Sequence, residues 1–109
     1  MISKADHEER MTKINKKMKE LDDTEDTIRG LHTYSPTRRK ILLHCLDTTL
    51  DVLESELRYE LYEIVGDGDY NQVAGAMNMK YCMEAQCRRA RDALHIEKAR
   101  EVKAPCAIM

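Results

Sequence analysis

Tryptophan and phenylalanine are both absent from this chain, and five tyrosines are its only aromatic residues. A core must therefore be assembled from Leu, Ile, Val, Met and Ala. That composition suits packed helices and argues against a β-sandwich of aromatic and β-branched strands. Glycine and proline are scarce, four and two in 109 residues, so turns are few and so are elements. No apolar run approaches the roughly 18–20 residues of a membrane span. Residues Met1 to Glu20 are charged throughout, so no secretory leader is expected and the expected location is the cytoplasm. An excess of one charge is also lacking: 18 Lys and Arg against 20 Asp and Glu leave a net charge of −2. General nucleic-acid binding is therefore not expected.

The catalytic and metal motifs are missing as well. There is no Cys-x-x-Cys, no His-Glu-x-x-His, no glycine-rich phosphate loop and no Gly-x-Ser-x-Gly. Cys82 and Cys87 lie five residues apart, about 140° around a helix, a poor geometry for sharing a metal. His44 and Cys45 are sequence neighbours whose side chains diverge on a helix and form no dyad. Asp67-Gly68-Asp69-Tyr70-Asn71 imitates the start of an EF-hand loop. Gln72 replaces the turn glycine and Asn78 the bidentate acid, so a plain interhelical turn is expected. No enzymatic activity, metal or cofactor is expected.

What remains is helical periodicity in three segments, and the expected fold is all-α. Residues 1–29 carry Met11, Ile14, Met18, Leu21 and Ile28 at spacings of 3, 4, 3 and 7, with Glu25 in the gap. This is a heptad seam on a charged helix. Its apolar stripe is too narrow to be stable alone, so these five residues are expected to meet a partner helix or form an oligomer interface. Gly30 is a plausible C-cap. Residues 30–103 read as a long antiparallel helical hairpin. Its first arm starts at Ser35-Pro36, an N-cap followed by a first-turn proline. That arm runs to about Val65 on Ile41, Leu42, Leu43, Leu46, Leu50, Leu53, Leu57, Leu61 and Ile64, with Val52 and Tyr62 widening the stripe. Gly66-Asp67-Gly68-Asp69 is the turn. The second arm, from about Tyr70 to Val102, carries Val73, Ala76, Met77, Met83, Ala90, Leu94 and Ile96. Acids between Asp47 and Glu63 complement the basic second arm. Ala104-Pro105 should end the helix and leave residues 104–109 as a flexible tail.

Two constellations suggest function. Tyr34 precedes the first arm and Arg38, Arg39 and Lys40 open it, while Arg88, Arg89 and Arg91 cluster on the second arm. An aromatic that stacks on a base and guanidinium groups that grip phosphate are what a nucleotide pocket needs. Tyr34, Arg38, Arg39, Arg88 and Arg91 are the candidate ligand-binding residues. The alternative is a solvated basic face paired with the acidic helix. Separately, Cys106-Ala107-Ile108-Met109 matches the prenylation pattern, with Lys98, Arg100 and Lys103 upstream. In a eukaryotic host Cys106 would be the lipidated residue.

Residues 30–94 resemble the helical-hairpin domain of small phage immune-evasion proteins, the cyclic-nucleotide sponges of the anti-CBASS and anti-Thoeris type. The resemblance is carried by Tyr34-Ser35-Pro36 before a helix and by the acidic turn Gly66-Asp67-Gly68-Asp69. Val73-Ala74, Cys82-Met83 and Arg88 follow on the second helix. Cys82 stands where the family has an aromatic. The resemblance implies a compact homo-oligomer that sequesters cyclic signalling nucleotides between subunits without cleaving them, with Tyr34 and Arg88 at the matching positions. Two other roles are compatible with the residues. One is a structural or protein-interaction component, in a virion or as inhibitor of a host protein. The other is a prenylated membrane-associated adaptor.

Overall fold

The computed structural model describes residues 1–108, with side chains through residue 101. Three α-helices form a rod of 62 × 18 × 16 Å. They are α1 (Lys4–Arg29), α2 (Pro36–Asp67) and α3 (Tyr70–Ile108), and a single 3₁₀ turn (Leu31–Thr33) joins the first two. No strand occurs among the described residues. The expected all-α chain with an antiparallel hairpin is present.

Local chemistry sets each boundary. The Ser3 hydroxyl accepts from the Asp6 N–H at 3.1 Å and starts α1; the Ser35 hydroxyl accepts from the Arg38 N–H and starts α2 ahead of Pro36. The Gly30 N–H closes α1 on the carbonyls of Asp26 and Thr27, with φ −92° rather than a left-handed value. At the hairpin turn, Asp69 and Gln72 form a reciprocal box: Asp69 Oδ1 accepts from the Gln72 N–H at 2.8 Å, and Gln72 Oε1 accepts from the Asp69 N–H at 3.0 Å. The acid that imitates a calcium ligand in sequence is thus occupied as a helix cap. Gly68 must be glycine, because a Cβ there would sit 2.6 Å from the Ile64 carbonyl oxygen.

The core is one continuous line. Leu43, Leu46, Leu50, Leu53, Leu57, Leu61 and Ile64 point from α2 into it; Ile14, Leu21 and Ile28 come from α1 and Ala76, Met83, Cys87, Ala90 and Leu94 from α3. Leu31 of the 3₁₀ turn plugs one end and is fully buried. The small α3 residues let that helix approach closely.

Four expectations are corrected. The heptad seam of α1 does not face another subunit: Ile14, Leu21 and Ile28 have no exposure, and Met11 and Met18 pack against the same cluster. A narrow stripe is satisfied by the groove between α2 and α3 of its own chain, with no loop-entropy barrier beyond a six-residue connector, residues 30–35. Ile41 does not belong to the buried stripe of α2, and Val52 and Tyr62 do not widen it; all three are exposed. Ile96 is likewise exposed on α3. The α3 backbone also continues past Ala104-Pro105, because proline's fixed φ near −65° is itself a helical value. The side chains of the expected tail, and with them the Cys106 lipidation, lie outside the described residues.

Ion pairs record the helix directions. Arg10–Glu60 (3.4 Å) and Lys17–Glu56 link α1 to α2 with residue numbers falling against each other, so the two helices are antiparallel. Gln86 bonds Asp22 at 3.1 Å and Arg89 approaches Glu25 at 3.8 Å, numbers rising together, so α1 and α3 are parallel. The N-terminal end of α1 is tied to the hairpin turn, where the Ile2 N–H donates to the Asp67 carbonyl at 3.0 Å.

Because the α1 seam belongs to the monomer core, Ile14→Asp should unfold the chain itself. A loss of about 4 kcal/mol or more is expected from an unpaired charge at a fully buried site. Urea unfolding followed by circular dichroism would measure it. A variant that keeps wild-type stability and loses only self-association would contradict the packing.

Candidate functional site

The residues expected to form a nucleotide pocket are divided between distant parts of the rod. Tyr34 is half-buried at the start of α2, and the Arg38 guanidinium lies 4.8 Å from its ring centroid. Arg39 turns the other way: it donates to the Tyr34 carbonyl at 3.0 Å and to Glu101 at 3.1 Å, pinning the connector to α3. Arg91 lies at mid-rod and donates to both Asp51 and Glu54 at 2.9 Å. Glu54 is 18 residues into α2 from Pro36, roughly 27 Å along the axis. Arg88, one turn before Arg91, is exposed and has no acidic partner among the described residues. One chain therefore brings Tyr34, Arg38 and Arg39 together, and brings Arg88 and Arg91 together, but does not join the two groups.

Most of the charged side chains between α2 and α3 are committed to each other. Arg39–Glu101, Lys98–Asp47 (2.8 Å), Arg91–Asp51/Glu54 and Arg58–Glu84 (3.8 Å) form a ladder along the hairpin. The hydrogen bond from Lys98 holds the Asp47 carboxyl below its ordinary value. Acceptance by Asp51 and Glu54 holds Arg91 charged, overcoming the opposing effect of its partial burial. On the α1 side, Glu25 occupies the seam position between Leu21 and Ile28 and is almost buried. Arg29 donates to it at 2.9 Å, and Arg89 approaches from α3. A buried acid met by two arginines fixes register between packed helices more than it adds stability. Its place in the heptad gap was the only sequence signal of this role.

Cys87 is buried beside Met83, 3.7 Å away, and burial pushes its thiol up to about 11. Cys45 and Cys82 are exposed. No cluster of metal-binding side chains occurs among the described residues.

The clearest unpartnered feature is the outer face of α2. Ile41, Cys45, Thr48, Val52, Ser55, Tyr59 and Tyr62 recur at alternating spacings of 4 and 3 on the side opposite Leu50 and Leu57. All seven are exposed, among them Ile41 at 60%, Tyr59 at 63% and Tyr62 at 51%. This is a second heptad register on a helix whose first register already fills the core. Sequence reading merged the two into one wide stripe. At 100° per residue, Ile41, Val52 and Tyr59 lie nearly diametrically opposite Leu50 and Leu57, and that angle was the available signal. Beside the stripe, Lys13 and Lys16 of α1 with Ser55 and Tyr59 of α2 line an open cleft of about 570 Å³.

No protein-family model, curated protein or solved structure matches this chain.

Three measurements follow from this chemistry. Iodoacetamide at pH 8 should modify Cys45 and Cys82 in the native protein and leave Cys87 unmodified until it unfolds, as read by peptide mass mapping. Because Cys87 holds its proton more tightly folded than unfolded, its contribution should be intact at neutral pH. Stability should then fall as pH climbs from the ordinary thiol value toward about 11. Arg91→Ala should cost about 1 kcal/mol in urea titration, with a smaller difference in 1 M salt, since the pair is partly solvated.

Proposed function

We propose that this chain is a non-enzymatic interaction protein that engages a protein partner through the outer face of α2. The observation that carries this reading is the exposed heptad stripe from Ile41 to Tyr62. Isolated apolar side chains are ordinary on a surface, but Ile41, Val52, Tyr59 and Tyr62 recurring in helical register, with only small uncharged residues between them, are the pattern of a helix that packs on both sides. The ion-paired flanks support it, because they keep the bundle rigid without using the stripe. Two tyrosines of the stripe, Tyr59 and Tyr62, supply amphipathic area of the kind that dominates interface energetics.

A second reading is cyclic-nucleotide sequestration of the kind seen in the phage sponges that residues 30–94 resemble. It draws on the Arg38–Tyr34 stack and on exposed Arg88, which has no acidic partner among the described residues and which only an assembly of copies could bring to the same ligand. Attachment to a membrane surface through Cys106 would add to either role rather than replace it.

The test is affinity capture from cells that produce the protein, with wild type and Val52→Glu side by side, followed by native mass spectrometry with a mixture of cyclic nucleotides. Binding partners lost in the folded Val52→Glu chain, with cross-links mapping to residues 41–62, are the expected result. Partners retained by Val52→Glu would overturn the assignment to this face. Whole nucleotide masses gained by an oligomer, and lost in Arg88→Ala, would establish the sponge reading instead.

A further inference from the structure

The stripe on α2 has features that select its occupant. Its largest residues sit at the ends, Ile41 at one and Tyr59 and Tyr62 at the other, with the smaller Cys45, Thr48, Val52 and Ser55 between. The charges left over after the internal ion pairs are polarised along the same helix. Arg38 and Lys40 at its start have no acidic partner among the described residues, and Lys40 is exposed. Glu63 and Asp67 at its end have no basic partner among the described residues, and Asp67 is exposed. Glu56 and Glu60, nearer the middle, are already held by Lys17 and Arg10.

We infer that the outer stripe of α2 pairs with the same stripe on a second copy of this chain, the two α2 helices running antiparallel about a two-fold axis near Val52. The inference rests on the reading of this face as an interaction surface and names its partner. Three considerations favour a second copy in this direction. Turning one copy end to end brings Ile41 level with the partner's Tyr62, Cys45 level with the partner's Tyr59, and Thr48 level with the partner's Ser55. Bulky residues then close the two ends while small ones allow close approach at the centre. The same rotation sets Arg38 near the partner's Glu63, on the same side of the stripe, once at each end of the contact, with Lys40 and Asp67 adding their charge from the flanks. A parallel pair would instead stack like charges at both ends. Antiparallel alignment also opposes the two helix dipoles. The contact is isologous, as a closed two-fold dimer requires.

Sedimentation velocity on the full chain across micromolar concentrations tests this directly. A dimer is expected for the wild type. Val52→Glu, or independently Tyr59→Ser, should shift it to monomer with unchanged helicity, because both residues are exposed. The double variant Arg38→Glu/Lys40→Glu should weaken dimerisation about tenfold, as should Glu63→Lys/Asp67→Lys, by placing like charges opposite each other. Combining all four substitutions should restore the dimer. Cys45 reports direction separately: about Val52 the two Cys45 residues sit roughly 21 Å apart along the axis, so mild oxidation should give no Cys45–Cys45 disulfide. A dimer indifferent to the charge reversals, or one locked by a Cys45–Cys45 disulfide, would overturn the antiparallel arrangement while leaving α2 as the contact face. A wild-type monomer at all concentrations would overturn self-pairing. The reading of α2 as an interaction surface would then stand or fall on whether Val52→Glu loses its captured partners.

Discussion

The leucine line of α2, from Leu43 to Ile64, is the surface that the other two helices fold to cover. It is the longest continuous apolar element in a chain without Phe or Trp, and an isolated helix exposing it would be insoluble or associated. Neither α1 nor α3 has an apolar stripe wide enough to be stable alone, so each is defined by its contact with α2. Ile14, Leu21 and Ile28 settle into one groove and Ala76, Met83, Ala90 and Leu94 into the other. The helical state of all three segments is thus a single cooperative property.

Polar groups decide which of the possible three-helix arrangements forms. Hydrophobic stripes of similar period could slide by a turn at little loss. The ladder of Arg39, Asp47, Arg91 and Arg58 with their partners penalises a slip of α3 against α2, since each shift would leave several charges facing the wrong neighbour. Glu25 does the same for α1 and α3: moved one turn, its carboxylate would keep Arg29 of its own helix but lose Arg89. The energy in each exposed pair is small, and their joint effect is on specificity.

Much of the fold was legible because its signals are local. Ser35-Pro36 and Gly66-Asp67-Gly68-Asp69 bound the helices through capping chemistry that a sequence displays directly. The destination of the α1 seam was not legible, since a heptad stripe is the same object whether its partner is on the same chain or another. Sidedness was legible only in part. Ile41, Val52 and Tyr62 were recognised as periodic, but an apolar residue within a periodic run does not announce which of two faces it joins. The candidate arginines could be listed from sequence, yet their separation along the rod depends on pairing across the hairpin, which only the folded chain fixes. Arg91 illustrates this: its availability is set by Asp51 and Glu54, some 40 residues away in sequence.

The chain runs the length of the rod three times, an odd number of passes, and α1 is held at the hairpin end by the bond from Ile2 to Asp67. The start of α1 and the end of α3 therefore lie at opposite poles. Tension applied between those poles would load the packed stripes in shear, so that the layers of the core would have to yield together rather than peel one at a time. Anything attached at one pole would be held about a rod's length from anything attached at the other. Whatever it binds, the molecule has the build of a short, stiff spacer.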